Sequence, residues 1–271
     1  RIDDVLAYPI QKRNVVMPTE EDNDVPTQMK LRGELELRNV TFGYNPTAAP
    51  LITDFSMTLQ PGHSVAIVGA PGCGKSTIAK LVSGLYSPWS GQILFDGRDI
   101  SDVTHDEFVN SVAVIDQNVV LFNDTISENL KMWDHSVEDF TMTMACIDAG
   151  IRDDIISRPR GFNTRLVKGG GNFSGGQRPR REIATALARE PVILVLDEAT
   201  SALDTVMERD VMQSIRRCGA SIIVIAHRLS TIRDCDEIIV MDKGKIVQRG
   251  THDDLIAQDG YYKQLMDCDD D

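Results

Sequence analysis

An α/β fold, a mostly parallel sheet with helices on both faces, is what three features of the sequence predict. Three short runs of apolar, largely β-branched residues read as central strands: Ser64–Val68, Val192–Leu196 and Ser221–Ile225. Helical patterns at about 177–189 and 205–217 precede the second and third runs. A glycine-rich turn joins the first run to a helix-compatible stretch, Lys75 to Leu85. Strands alternating with helices in this way build a parallel sheet.

The remaining elements follow in order. Residues 1–30 read as a linker, punctuated by Pro9, Pro18 and Pro26 and carrying the charge run Glu20 to Asp24. Leu35, Leu37, Val40 and Phe42 fit one strand or a pair of strand segments. The stretch 118–180 is predicted as a helical insert, with helices at Ile126–Met132, Val137–Ala149 and Asp153–Ser157. The main domain spans 31–266, and 267–271 is an acidic, frayed tail.

Composition narrows the function. The 271 residues carry 28 Lys and Arg against 41 Asp and Glu, a net charge of −13. That balance argues against a general nucleic-acid binder, which presents a basic face. It leaves nucleotide binding open, because a few backbone amides and one lysine suffice. No apolar run approaches the roughly 18–20 residues needed to cross a bilayer. The five cysteines are scattered without a C-x-x-C, which supports neither a disulfide framework nor a zinc site and fits a reducing, cytosolic setting. The first residue is Arg1, so the chain reads as a piece of something longer.

Gly69-Ala70-Pro71-Gly72-Cys73-Gly74-Lys75-Ser76-Thr77 matches G-x-x-x-x-G-K-[ST], after a strand and before a helix, which is the context that pattern needs. Glycines let the backbone curl so that N–H groups converge on phosphate oxygens, and the helix start adds unpaired donors. Lys75 is placed to reach the β- and γ-phosphates and Ser76 to ligate Mg²⁺. Cys73 lies near Lys75 and a helix start, which favours a thiolate open to alkylation; a small filler side chain is the other reading.

Val192–Leu196 runs into Asp197 and Glu198. At the carboxyl end of a strand beside the phosphate loop, Asp197 suits Mg²⁺, and Glu198 suits a general base for an attacking water. Taken alone the pair also fits a strand ending in a solvated acidic turn.

Together these residues resemble one family, the nucleotide-binding domains of ATP-binding cassette (ABC) transporters. Phe173-Ser174-Gly175-Gly176-Gln177 resembles the family's signature sequence, and Tyr44 matches the aromatic that stacks on adenine. Gln117 matches the Q-loop glutamine, a further Mg²⁺ contact; Ser201-Ala202-Leu203-Asp204 the D-loop; His227 the switch histidine. The resemblance implies a P-loop NTPase core, an antiparallel β subdomain and an inserted α-helical subdomain. It implies ATP and Mg²⁺ as ligands, with Glu198, His227, Lys75 and Gln117 catalytic. It also implies a head-to-tail homodimer in which the Ser174–Gln177 turn faces ATP held by the second copy. A transmembrane domain in the parent protein and a place on the cytoplasmic face of a bacterial inner membrane complete the picture. Asn172 to Gln177 is further similar to cassettes of bacterial bacteriocin and peptide exporters.

Three departures stand out. Phe173 replaces the commoner leucine and stays apolar. Pro179 takes a position usually held by glutamine, harmless if the helix begins near Ser174. Lys168 stands near where exporters often carry a glutamate. Two other functions compete: a soluble cassette ATPase acting on DNA or ribosomes, and a regulatory module without turnover. The absence of a long heptad run between Leu85 and Phe173 argues against the first; Glu198 and His227 argue against the second.

Overall fold

The computed structural model describes residues 30–116, 121–166, 173–226 and 228–267. The expected linker and acidic tail lie outside them, save Lys30 and Asp267.

Strand β1, Leu35–Phe42, is continuous but changes phase midway. Leu37 and Val40 are both buried although three residues apart, and pairing with the next strand shifts register between them. Asn39 sits in the left-handed region at φ 47, a conformation asparagine tolerates well. One bulge at Asn39 therefore explains why the apolar spacing suggested two segments. Strand β2, Ile52–Leu59, pairs antiparallel with β1.

Strand β3, Ser64–Gly69, is wholly buried and leads into helix α1, Lys75–Val82. The sequence carried this helix to Leu85. It stops earlier because Gly84 turns left-handed (φ 67) and Leu85 N–H bonds back to the Lys80 carbonyl at 3.0 Å, leaving Leu85 exposed. Strands β4, Ser90–Phe95, and β5, Arg98–Asp99, complete a four-stranded antiparallel sheet in the order β2-β1-β4-β5.

Helix α2, His105–Ser111, is capped by Thr104 and leads into strand β6, Val112–Ile115. Three helices follow where an insert was expected: α3, Ile126–Lys131; α4, Asp139–Asp148; and α5, Arg152–Ile156. Helix α6, Gln177–Leu187, takes the separate helical pattern expected at about 177–189. Strand β7, Ile193–Asp197, helix α7, Thr205–Arg217, and strand β8, Ser221–Ile225, return to the core. Then come α8, Leu229–Ile232; β9, Glu237–Asp242; β10, Lys245–Gly250; α9, His252–Ile256; and α10, Tyr261–Asp267.

The second sheet runs β10-β9-β3-β8-β7-β6, parallel throughout except for the edge strand β10. Its central strands divide their side chains between two cores with a period of two. Ile67, Val195, Ile223 and Ile225 face the antiparallel sheet, packing with Leu35, Phe55, Phe95 and α1's Ile78. Ala66, Leu194, Leu196 and Val224 face the other helices, packing with Ile126, Cys146, Ile183 and Tyr262. Runs buried on both faces lose polar alternation, which is why they were legible as central strands. No helix among the described residues is long and apolar enough to cross a membrane.

Candidate functional site

The glycines of the phosphate loop are needed for its shape. Gly69, Gly72 and Gly74 lie at φ 148, 79 and 109, where L side chains are strained. A Cβ on Gly69 would also collide with the Met241 carbonyl of β9. The loop is held by bonds from Cys73 N–H to the Ala70 carbonyl at 3.2 Å and from Thr77 N–H to the Gly74 carbonyl at 3.0 Å.

Lys75 is buried, its Nζ donating to the carbonyls of Gly69 (2.7 Å) and Ala70 (3.2 Å). The ammonium thus lies over the mouth of the loop, bonded to groups that a phosphate can replace. Ser76 Oγ donates to Asp197 Oδ1 at 3.0 Å, bringing together two of the three expected Mg²⁺ contacts from α1 and the end of β7. Burial pushes the Asp197 carboxyl above the ordinary carboxylate range; the Ser76 bond works against this, and Asp116 and Glu198 add to it. A carboxylate that ionises reluctantly beside other acids, with a hydroxyl at hand, is a donor set of hard oxygens suited to Mg²⁺. The acidic neighbour Asp116 was not singled out by its sequence.

Glu198 follows at φ 53, a left-handed residue that is not glycine, and its N–H bonds to the Ile225 carbonyl of β8 at 2.9 Å. Strain of this kind concentrates where function fixes a side chain. Gln117 and His227 lie outside the described residues.

Tyr44 is 52 % exposed, with its hydroxyl 3.1 Å from Thr77 Oγ1. Its ring meets Phe42 and Tyr86 edge to face, at centroid distances of 5.3 and 5.4 Å. These neighbours brace the ring edges at the rim of the phosphate loop. Cys73 follows the second of its two readings, the small filler side chain. Its side chain is 5 % exposed and packed in the core between the two sheets, so it fills space there.

The Ser174–Gln177 turn is built from within. Ser174 N–H donates to Gln177 Oε1 (3.0 Å), and Gln177 Nε2 donates to Asp154 Oδ1 (2.8 Å). Arg180 pairs with Asp154 Oδ2 at 2.9 Å, and the buried Phe173 ring lies 4.3 Å from the Arg158 guanidinium carbon. Asp154 therefore organises the turn, a role its place in a short helical pattern gave no hint of. The N–H groups of Gln177 and Arg178 already bond the Ser174 carbonyl, so Pro179 falls in the first turn of α6, where its missing donor costs little.

A Cβ on Gly175 would meet no atom within 4 Å, and on Gly176 only the Ala202 carbonyl at 4.0 Å. Among the described residues no hydrogen bond joins this turn to the phosphate loop. Asp204, expected to serve nucleotide, caps α7 by accepting from Met207 N–H at 3.0 Å.

A family model described as ABC transporter matches residues 52–201. An ATP-dependent lipid A-core flippase of Pseudomonas syringae pv. syringae is 42% identical over 254 residues, 92% of this chain and 42% of the flippase. The mitochondrial iron-sulfur clusters transporter atm1 of Neurospora crassa is 37% identical over 273 residues, 97% of this chain and 38% of that protein. The solved structure of a bacterial Atm1-family ABC exporter with ATP bound matches with a TM-score of 0.81 at 40% identity, covering 89% of this chain and 43% of that one. The chain spans about two fifths of the length of these relatives. Matched by the family model over more than half of its length, and carrying the phosphate loop, acidic strand end and signature turn described above, the chain belongs to the ABC transporter family.

Proposed function

We propose that the chain is the ATP-binding and ATP-hydrolysing domain of an ABC exporter, acting at the cytoplasmic face of a membrane. The observation that carries this reading is the convergence of Lys75, Ser76 and Asp197 on one phosphate loop, with Glu198 next along the chain. Lys75 exchanges its loop carbonyls for the β- and γ-phosphates of ATP, and Tyr44 offers its ring to adenine. Ser76 and Asp197, with Gln117 by resemblance to the family, would hold Mg²⁺, which would supply charge neutralisation at the phosphates. Glu198 takes the proton of the attacking water, and His227 holds the γ-phosphate in line.

The second half of the site comes from another copy. In one chain the phosphate loop and the Ser174–Gln177 turn are separate. The glycines of that turn are required neither by crowding nor by a left-handed backbone of their own. Side chains there are absent for the sake of something outside the chain, and a nucleotide held by a head-to-tail partner fits that space. Closing around two ATP and reopening after hydrolysis would drive a transmembrane domain of the parent protein.

The relatives named above transport lipid A-core and iron-sulfur clusters by their names. They lend no support to the peptide or bacteriocin cargo suggested by Asn172 to Gln177, and cargo selection belongs to the parts of the parent outside this chain.

The test is Glu198→Gln. The variant retains ATP, loses turnover and accumulates a nucleotide-dependent dimer on sizing. Turnover at the wild-type rate would remove Glu198 as the base.

A further inference from the structure

A buried glutamate outside every motif joins the two loops that flank the acidic strand end. Glu208 of α7 is 1 % exposed. Its carboxylate accepts from Thr200 Oγ1 at 2.6 Å, Thr231 Oγ1 at 2.8 Å and Ser230 Oγ at 3.1 Å, and it pairs with the Arg228 guanidinium at 3.3 Å. Four donors on one buried carboxylate satisfy both oxygens, which is the condition for holding such a charge away from water. Arg228 then extends the connection, donating to the Leu203 carbonyl at 2.7 Å and the Ser201 carbonyl at 3.0 Å.

The partners come from two places. Thr200, Ser201 and Leu203 belong to the loop after β7; Arg228, Ser230 and Thr231 belong to the segment after β8. The first loop is tied to Glu198, whose carbonyl accepts from Ser201 N–H at 3.2 Å. The second begins at the residue next to His227. Glu198, Thr200, Ser201, Glu208, Ala226 and Arg228 line a common cavity of about 110 Å³.

We propose that Glu208, through Arg228, is a positioning residue for hydrolysis, clamping the loop after β7 to the segment after β8 so that Glu198 is held in place. This rests on the hydrolytic reading of the site given above. The guanidinium suits the task because its planar fork reaches three acceptors at once, which a single ammonium cannot. The clamp touches neither the phosphate loop nor Tyr44, so it acts on turnover and leaves nucleotide affinity alone.

The experiment compares Arg228→Gln, Arg228→Lys and Glu208→Gln in steady-state ATP hydrolysis, with hydrogen exchange of the 200–204 amides as a readout that needs no turnover. Arg228→Gln lowers kcat about tenfold or more, as misplacing a catalytic group does, with KM for ATP unchanged. Arg228→Lys recovers part of the loss. The 200–204 amides exchange faster in both glutamine variants, and the double variant is no slower than the worse single one. Arg228, partly exposed, can be replaced without burying a new charge, so Arg228→Gln decides the matter if Glu208→Gln fails to fold. Wild-type kcat and unchanged 200–204 exchange in folded Arg228→Gln overturn the proposal, and so does a KM rising in step with the fall in kcat. If the wild-type chain hydrolyses no ATP, the reading of the chain as an ATPase fails; the exchange measurement still judges the clamp.

Discussion

Gly175→Ala separates a glycine required by its own chain from one required by a neighbour. The added methyl meets nothing within 4 Å, and Gly175 does not occupy the left-handed region. Under those conditions Gly→Ala stabilises a protein by about 0.4–1 kcal/mol, because the unfolded chain loses freedom. For a protein of this size that raises Tm by roughly 1–4 °C. On the proposed head-to-tail arrangement turnover falls about 100-fold, because the methyl occupies the space assigned to a nucleotide held by the second copy. Gly69→Ala is the contrasting control: there φ 148 and the Met241 carbonyl both oppose the methyl, so Tm falls along with activity. Differential scanning calorimetry and ATPase rates on the two variants give the comparison. If Gly175→Ala hydrolyses ATP at the wild-type rate, the claim that a second copy completes the site through this turn is wrong. If it lowers Tm as Gly69→Ala does, the turn is needed by its own chain, and the argument from empty space collapses.

Two further predictions concern stability. Burial pushes the Asp236 carboxyl up, but the backbone N–H of Ser64 at 2.7 Å and its hydroxyl at 2.8 Å outweigh that and hold it below the ordinary value. A carboxyl with a depressed folded pKa adds stability above its unfolded pKa and loses it as pH falls through the folded one; Tm of Asp236→Asn therefore falls less than wild type on acidification, and parallel profiles would refute this. Asp204→Ala removes the cap of α7, costing about 1 kcal/mol and lowering Tm by roughly 2–4 °C; an unchanged Tm would mean the bond to Met207 N–H contributes nothing.

What the sequence revealed depended on locality. Ser64–Val68, Val192–Leu196 and Ser221–Ile225 were readable because strands buried on both faces are apolar without interruption. The phosphate loop was readable because its glycines, lysine and serine lie within nine residues, between a strand and a helix. The strand at Leu35–Phe42 was only half readable, since its phase is reset by a backbone conformation at Asn39. The expected ends of α1 and α4 ran a few residues long, as Gly84 shows for α1. Glu208 and Asp154 were invisible. Each is an ordinary acid in a helical pattern, and its partners come from 8 to 23 residues away in one case and 23 to 26 in the other. Asp204 was readable as a motif member, but its capping bond could be assigned only once the helix start at Thr205 was known.

The alternation of side chains in β3, β7 and β8 makes each strand a party wall between two rooms. Ile67 and Val68 are neighbours in sequence yet prop up opposite chambers, and the same holds for Leu194 with Val195 and for Val224 with Ile225. Neither chamber can melt while the other stands, since emptying one strips the lining from the wall they share. Heating would then take down the antiparallel layer and the helical layer in a single calorimetric event, although they are contributed by distant stretches of the chain.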